Sequence, residues 1–398
     1  MSGRSEPRDH VLLLRPSALV PRPWGGDLLP RLKGVPVAGA EPIGESFECA
    51  AWPDDEEAAR YPSLVERADG ATARLVDLLA EDPEGLLGAG LAARHGPRYP
   101  LLPKLLDLRA LLSVQAHPPG NPEAYVIIEA EDGATLRLGF REDTRAASLA
   151  LLWKEARKVQ EKLLEALPAL PAARFVELGA ALSRPTADAL GLAGELCGGE
   201  PPPSVPPMLE VLLRAQRASL AMLHAVPAVP GRCLFNCGAG PDGGEAAEVH
   251  ALGDPEGRRV LALEVRLPGP THNAGTTPAS RCAPSTSTRP SRSWPLRART
   301  PESFVAAPAP VPGRPGVFRS ATCAAFTVEH LRPTPAAAVA EPGLDRASTL
   351  HVVRGAVRVV AAGGELPLPL GASAFVPAGL GYEVAGEGEV VRAVPGLD

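Results

Sequence analysis

The period of the apolar pattern changes twice along this chain, and that change constrains the fold more than any other feature. Up to about residue 143, apolar residues come in short runs cut by Pro and Gly, among them VLLLRP, GESFECAAW, LLSVQAH, AYVIIEA and ATLRLGF. Short runs with frequent turn residues are the strands of a sandwich or barrel. One exception, LVDLLAEDPEGLLG at 75–88, reads as a short helix with its loop. From residue 144 to about 225 the segments SLALLWKEARKVQEKLLEALPAL, AARFVELGAALS and PPMLEVLLRAQRASLAMLHAV repeat instead at helical spacing, with Lys, Arg and Glu on the opposite face. Strand-like runs return in EVHALG and RRVLALEVRL. From residue 320 onward β-branched alternation is broken by Gly at short intervals, the texture of a jelly roll. The expectation is a mainly β protein: one β domain interrupted by packed helices, and a second β domain at the C-terminal end.

At 398 residues the chain is long enough for two or three well-buried cores, and 45% hydrophobic with 22% charged residues is the composition of a globular protein. A net charge of −6 argues against a nucleic-acid or acidic-membrane partner held by electrostatics. No apolar run approaches the ~18–20 residues of a membrane span, and the first residues lack a cleavage signal, so a cytoplasmic protein is expected. The six cysteines, Cys49, Cys197, Cys233, Cys237, Cys282 and Cys323, include a single close pair. Reduced, structural thiols are therefore expected, and no zinc ribbon.

Against this background LLSVQAHPPGNPE, residues 111–123, stands out. If LLSVQAH is a strand, Ser113, Gln115 and His117 share one face. The turn that follows can bring Glu123, at the head of AYVIIEA, beside His117. An imidazole, a carboxylate and an amide oxygen suit zinc or a similar divalent ion, and His250 in AEVHALG is the best placed fourth ligand. The plainer reading of Q-x-H is a pair of hydrogen-bonding side chains in a strand. Of the other histidines, His10, His95, His272 and His330 stand in polar surroundings and are expected at the surface. His224 closes a helical pattern, where a cation is favourable. His351 opens a strand as a core or edge residue.

The block PKLLD, LSVQAHP, PEAY and LGF resembles the central segment of class I mannose-6-phosphate isomerases, which are zinc-dependent. PRPWGG at 21–26, GESFE at 44–48 and EVHALG are similar to further segments of that family, in the same order. The resemblance implies two cupin-type jelly-roll domains with an inserted α-helical domain: 1–143 and 229–300 forming the catalytic cupin, 144–228 the helical insertion, and 301–398 a second cupin-like jelly roll. It implies one Zn2+ per chain, held by Gln115, His117, Glu123 and His250. Lys104 and Ser113 match residues of the family's sugar-phosphate pocket. Glu264, in LALEVRL, matches an acidic residue suited to proton transfer. Without the resemblance, Lys104 would read as a solvated charge and Glu264 as a salt-bridge partner. The activity implied is interconversion of mannose 6-phosphate and fructose 6-phosphate by a monomer, with a small sugar phosphate as its partner.

Two departures stand against this. The family's lysine two residues before the ligand glutamate is Asn121 here, which makes the phosphate site less positive. The family's active-site arginine has no counterpart in its expected segment: no Asp or Glu occurs between Glu264 and Glu302, and residues 271–300 are dominated by Ser, Thr, Pro and Arg. That stretch reads either as a biased loop or as a segment in the wrong frame, since ASRCAPSTSTRPSRSWP can be back-translated and shifted to FPLRAVDVDAALAELA. The competing function is a zinc- and sugar-phosphate-binding cupin that has lost turnover.

Overall fold

The computed structural model describes residues 6–36, 42–66, 71–116, 121–143, 146–167, 181, 187–239, 245–246, 248–269, 272–273 and 298–397. Among these the protein is mainly β, and every pair of neighbouring strands runs antiparallel. His117 and most of 271–300 lie outside the described residues, as does Cys282.

A seven-stranded sheet runs in the order Val305–Ala306, Cys233–Asn236, Glu123–Ala130, Val260–Arg266, Lys104–Leu108, Ile43–Phe47, Leu19–Gly26. Its central strand Val260–Arg266 is buried at every position. That explains its mostly apolar residues and makes the two charges within it, Glu264 and Arg266, expensive to place. A five-stranded sheet contains Leu223–Pro227, Thr135–Phe140, His250–Ala251, Gln115–Ala116 and His272–Asn273. Among the described residues of LLSVQAH the strand is thus shorter than its apolar pattern: Leu111, Leu112 and Val114 are buried, but only Gln115 and Ala116 pair.

Helices lie at Ala146–Ala166, Ala189–Cys197 and Val205–Ala221. The first and third stand where the period of 3.6 put them, whereas the apolar spacing did not single out the second; all but one residue of the helical run AARFVELGAALS lies outside the described residues. Trp153, Ala156, Gln160 and Leu163 form the buried stripe of the first. Asp188 starts the second, accepting the backbone N–H groups of Leu190 and Gly191, and Gly198 stops it at a φ of 62°. The third ends before His224. That histidine sits in the strand Leu223–Pro227, not at a helix end, and donates from Nε2 to the Arg299 carbonyl at 2.6 Å.

An eleven-stranded sheet gathers the C-terminal strands and also takes in Leu12–Pro16, which pairs with Ser373–Val376, followed by Ser63–Glu66 and Thr72–Arg74. Leu12 and Leu14 share one apolar cluster with Phe375, Val391, Val126 and Leu263, so a single core joins strands from both ends of the chain. Two histidines of this sheet are interior groups. His330, expected at the surface, is fully buried between the Glu389 carboxylate at 2.7 Å and the Ser320 hydroxyl at 2.8 Å. A polar side chain can be buried this way only when its partners come from neighbouring strands, which local sequence does not reveal. His351 is buried between Ser373 and Thr349, and burial drives its pKa down to about 3, so it stays neutral.

Arg392, 1% exposed, is the hub of this sheet's ion network, donating to Glu329 and to Glu341 at 2.7 Å. Burial alone would raise the Glu329 carboxyl, but Arg392, Arg319 and Arg314 outweigh it and hold it near 2. Arg392→Met should therefore cost about 3 kcal/mol, because Glu329 and Glu341 lose their buried cation and are left to Arg314 and Arg319, which are more exposed. Since the folded value lies below the ordinary 4.5, this carboxylate's contribution is present above about 4.5 and lost as pH falls toward 2. Urea midpoints across that range should show the wild type losing a larger acid-sensitive increment than the variant, in which Arg319 and Arg314 still hold Glu329.

Candidate active site

Register, not sequence proximity, assembles the charged face of the seven-stranded sheet. Phe47 pairs with Lys104, Lys104 with Glu264, and Glu264 with Tyr125. In the next row Asn236 pairs with Glu123, and Glu123 with Arg266. Lateral partners share a face, and so do residues two apart along a strand. The face therefore carries Lys104, Glu264, Arg266, Glu123, Tyr125 and Glu45 together.

All of these are buried, so each charge needs a partner. Lys104 Nζ lies over the Phe47 ring at 4.7 Å, with carboxylate oxygens of Glu57, Glu264 and Glu45 at 3.6, 3.8 and 3.9 Å. Arg266 Nε is 3.7 Å from Glu264, while its Nη1 donates to the carbonyls of Leu267 and Gly269. Burial pushes the Glu264 carboxyl up to about 7; Glu123 and Glu45 push the same way, and Lys104 and Arg266 oppose them. Asn121, at the position of the family's lysine, is buried and accepts from the Leu267 backbone N–H at 3.2 Å. It thus fastens the chain just beyond Arg266.

The five-stranded sheet meets this face at His250, whose Cα partner across the ladder is Gln115. His250 Nδ1 donates to the Glu248 carbonyl at 2.8 Å, which fixes the tautomer. Its Nε2 lone pair then points toward Glu123 Oε2, 3.3 Å away. Two acceptors that close repel unless a proton or a cation lies between them. Tyr125 holds the carboxylate by donating its hydroxyl to the same oxygen, and Asn236 is locked by paired hydrogen bonds to the Glu248 backbone. Such outer contacts orient metal-binding His and carboxylate groups. A neutral imidazole nitrogen and a buried carboxylate oxygen are a donor set that fits zinc.

Among the described residues no three His, Cys, Asp or Glu side chains stand close enough to hold a metal ion. Glu123 and His250 supply two such groups, Gln115 is in register beside His250, and His117 lies outside the described residues. Ser113 is buried one turn of chain before Gln115. Arg22, Glu57 and Arg266 were missed by sequence reasoning. Arg266 had a signal: it follows Glu264 by two in a strand, so it had to share the face of a residue already singled out. Arg299, assigned by composition to a biased stretch, pairs with Glu248 at 3.0 Å and stacks on Phe304, so it braces the carbonyl that holds His250.

No model of a known protein family matches the chain, and no curated protein matches it by sequence. Solved structures do match. A phosphomannose isomerase from Salmonella typhimurium with an arginine replaced by alanine is 19% identical over 97% of this chain and 99% of its own, at a TM-score of 0.64. A histidine-to-glutamine mutant of that enzyme reaches 0.63 at 19% identity, over 97% of this chain and 99% of its own. A mannose 6-phosphate isomerase bound with zinc and yttrium is 18% identical over 97% and 99%, at a TM-score of 0.62. At this identity the likeness establishes the fold: over nearly its whole length the chain is folded as these phosphomannose isomerases are.

Proposed function

We propose that the protein is a zinc-dependent aldose–ketose isomerase of the class I mannose-6-phosphate isomerase type, interconverting mannose 6-phosphate and fructose 6-phosphate as a cytoplasmic monomer. In this reading the chain is built from two cupin-type jelly rolls and a helical insertion, with the domain limits inferred from the sequence. Gln115, His117, Glu123 and His250 would hold one zinc ion. When bound, it would act as a Lewis acid toward the sugar's carbonyl end.

The observation that carries the proposal is Glu264, a buried carboxyl near 7 set in register between Lys104 and Tyr125 and beside Arg266. A carboxyl poised near neutral pH both takes and returns a proton readily. Glu264 would accept the proton leaving C2 of the aldose and deliver it to C1, while the O2 hydroxyl proton passes to O1, forming the ketose. Lys104 and Arg266 are fixed cations beside Glu264, suited to the negative charge of the sugar phosphate. Burial excludes bulk water, so the proton returns to the sugar. Ser113 is assigned to sugar binding.

The test is a coupled assay of mannose 6-phosphate conversion before and after chelation. Turnover that falls at least ~100-fold on chelation and returns with zinc is expected. Zinc bound at one per chain without turnover would favour the binding protein instead.

A further inference from the structure

The carboxylate of Glu57 sits where a ligand anion would. Glu57 lies in the short helix Glu56–Arg60, whose start is tied down by Asp55: one carboxylate oxygen accepts from Ala58 N, the other from Gly269 N, both at 2.8 Å. From there Glu57 reaches the site. Arg22 Nη2 donates to its Oε1, and Lys104 Nζ is 3.6 Å from its Oε2. Arg266 adds to the positive field at the same group. Burial would raise the Glu57 carboxyl, but Lys104 and Arg22 outweigh it and hold it near 2, so it is charged at neutral pH.

Exposure orders these groups. The side chains of Lys104 and Arg266 are 5% and 4% exposed and Arg22 is 20% exposed, whereas Glu57 is 40% exposed. Lys104, Arg266 and Arg22 therefore form a floor that already carries Glu264 and Glu45, the latter accepting from Arg22 Nε at 2.9 Å and Nη2 at 2.6 Å, and the Glu57 carboxylate covers it from the solvent side. Lys104 makes no hydrogen bond shorter than its 3.6 Å approach to Glu57 among these carboxylates, so its ammonium has capacity for a closer oxygen acceptor. Desolvated cations hold their place only with an anion beside them. An anion that offers several oxygens to Arg22 and Lys104, in the field of Arg266, would satisfy them better than the Glu57 carboxylate does.

We infer that Glu57 is a resident competitor for the phosphate group of the substrate: it occupies the seat formed by Arg22, Lys104 and Arg266 and swings outward when a phosphate enters. This rests on the sugar-phosphate reading above and adds a specificity residue to it. Anion binding is then weakened by the chain itself, in the same direction as Asn121 in place of lysine.

The experiment is calorimetric titration of inorganic phosphate, and separately of sulfate, into the full-length protein as purified. Glu57→Gln should bind phosphate ~10-fold or more tighter than wild type, with the gap narrowing at high salt. Glu57→Asp, which keeps the charge on a shorter arm, should fall between the two and serves if the amide variant is poorly folded. Glu56→Gln removes the same formal charge from the exposed neighbouring position, and should change affinity less than ~2-fold. Equal or weaker phosphate binding in the Glu57 variants would overturn the inference, and so would an equal gain in Glu56→Gln. The titration needs no turnover. Tighter phosphate with no isomerase activity would sink the proposed reaction alone, and isomerase activity without tighter phosphate would sink this inference alone.

Discussion

His250→Ala should abolish stoichiometric zinc and lower isomerase turnover by ~10³-fold or more, while the fold survives. The imidazole is held by Nδ1 to the Glu248 carbonyl and aims Nε2 at Glu123, so its removal deletes a donor in a rigid arrangement that nothing nearby can replace. The backbone of His250 keeps its ladder neighbours Leu138 and Gln115, because those pairings need no side chain. The loss of a fully buried imidazole that hydrogen-bonds the Glu248 carbonyl should cost about 1–3 kcal/mol. Unfolding compared in the presence of chelator isolates that term, since zinc bound to the wild type would add its own stabilisation. Metal analysis decides the matter: unchanged zinc content in the purified variant would remove His250 from the site.

The parts of this protein legible in sequence are those set by local pattern. Helical spacing from residue 144 onward predicts the helices Ala146–Ala166 and Val205–Ala221, though not Ala189–Cys197 between them, and strand-like runs predict the sheets. Gln115 and His250 could be singled out as unusual residues in apolar segments, and register sets them side by side. What local pattern cannot carry is who pairs with whom. Leu12–Pro16 reads as a strand from its own residues, but nothing in VLLLRP says that its neighbour is Ser373–Val376, some 360 positions on. His330 has polar neighbours in sequence and a buried carboxylate in space. Arg22 and Glu57 illustrate the same point at the site: Glu57 lies in an acidic, exposed-looking run, PDDEE, and becomes part of the charged cluster because a five-residue helix turns it toward Lys104. Arg266 was within reach, since a period of two places it on the face of Glu264. The resemblance drew attention instead to the segment further on, most of which lies outside the described residues.

Glu264→Gln should separate the proton carrier from the metal site. The amide keeps the size and much of the hydrogen bonding of the carboxyl but cannot take up and release a proton, so turnover should fall by ~10²–10⁴-fold with zinc content unchanged. Equal zinc loss in this variant and in His250→Ala would show that Glu264 supports the metal instead, and unchanged turnover would remove it from the reaction. A second readout needs no substrate. Burial raises the Glu264 carboxyl from 4.5 to about 7, so between those values the folded protein binds more protons than the unfolded chain. This group's contribution to stability is therefore full below about 4.5 and lost as pH rises through about 7. The glutamine has no such slope. Urea midpoints at about pH 5 and about pH 8 should show the wild type losing stability relative to the variant as pH rises. The carboxylate formed as pH rises through that window is the form that takes the C2 proton. One residue would then be costing the fold most at the pH where it serves the reaction best.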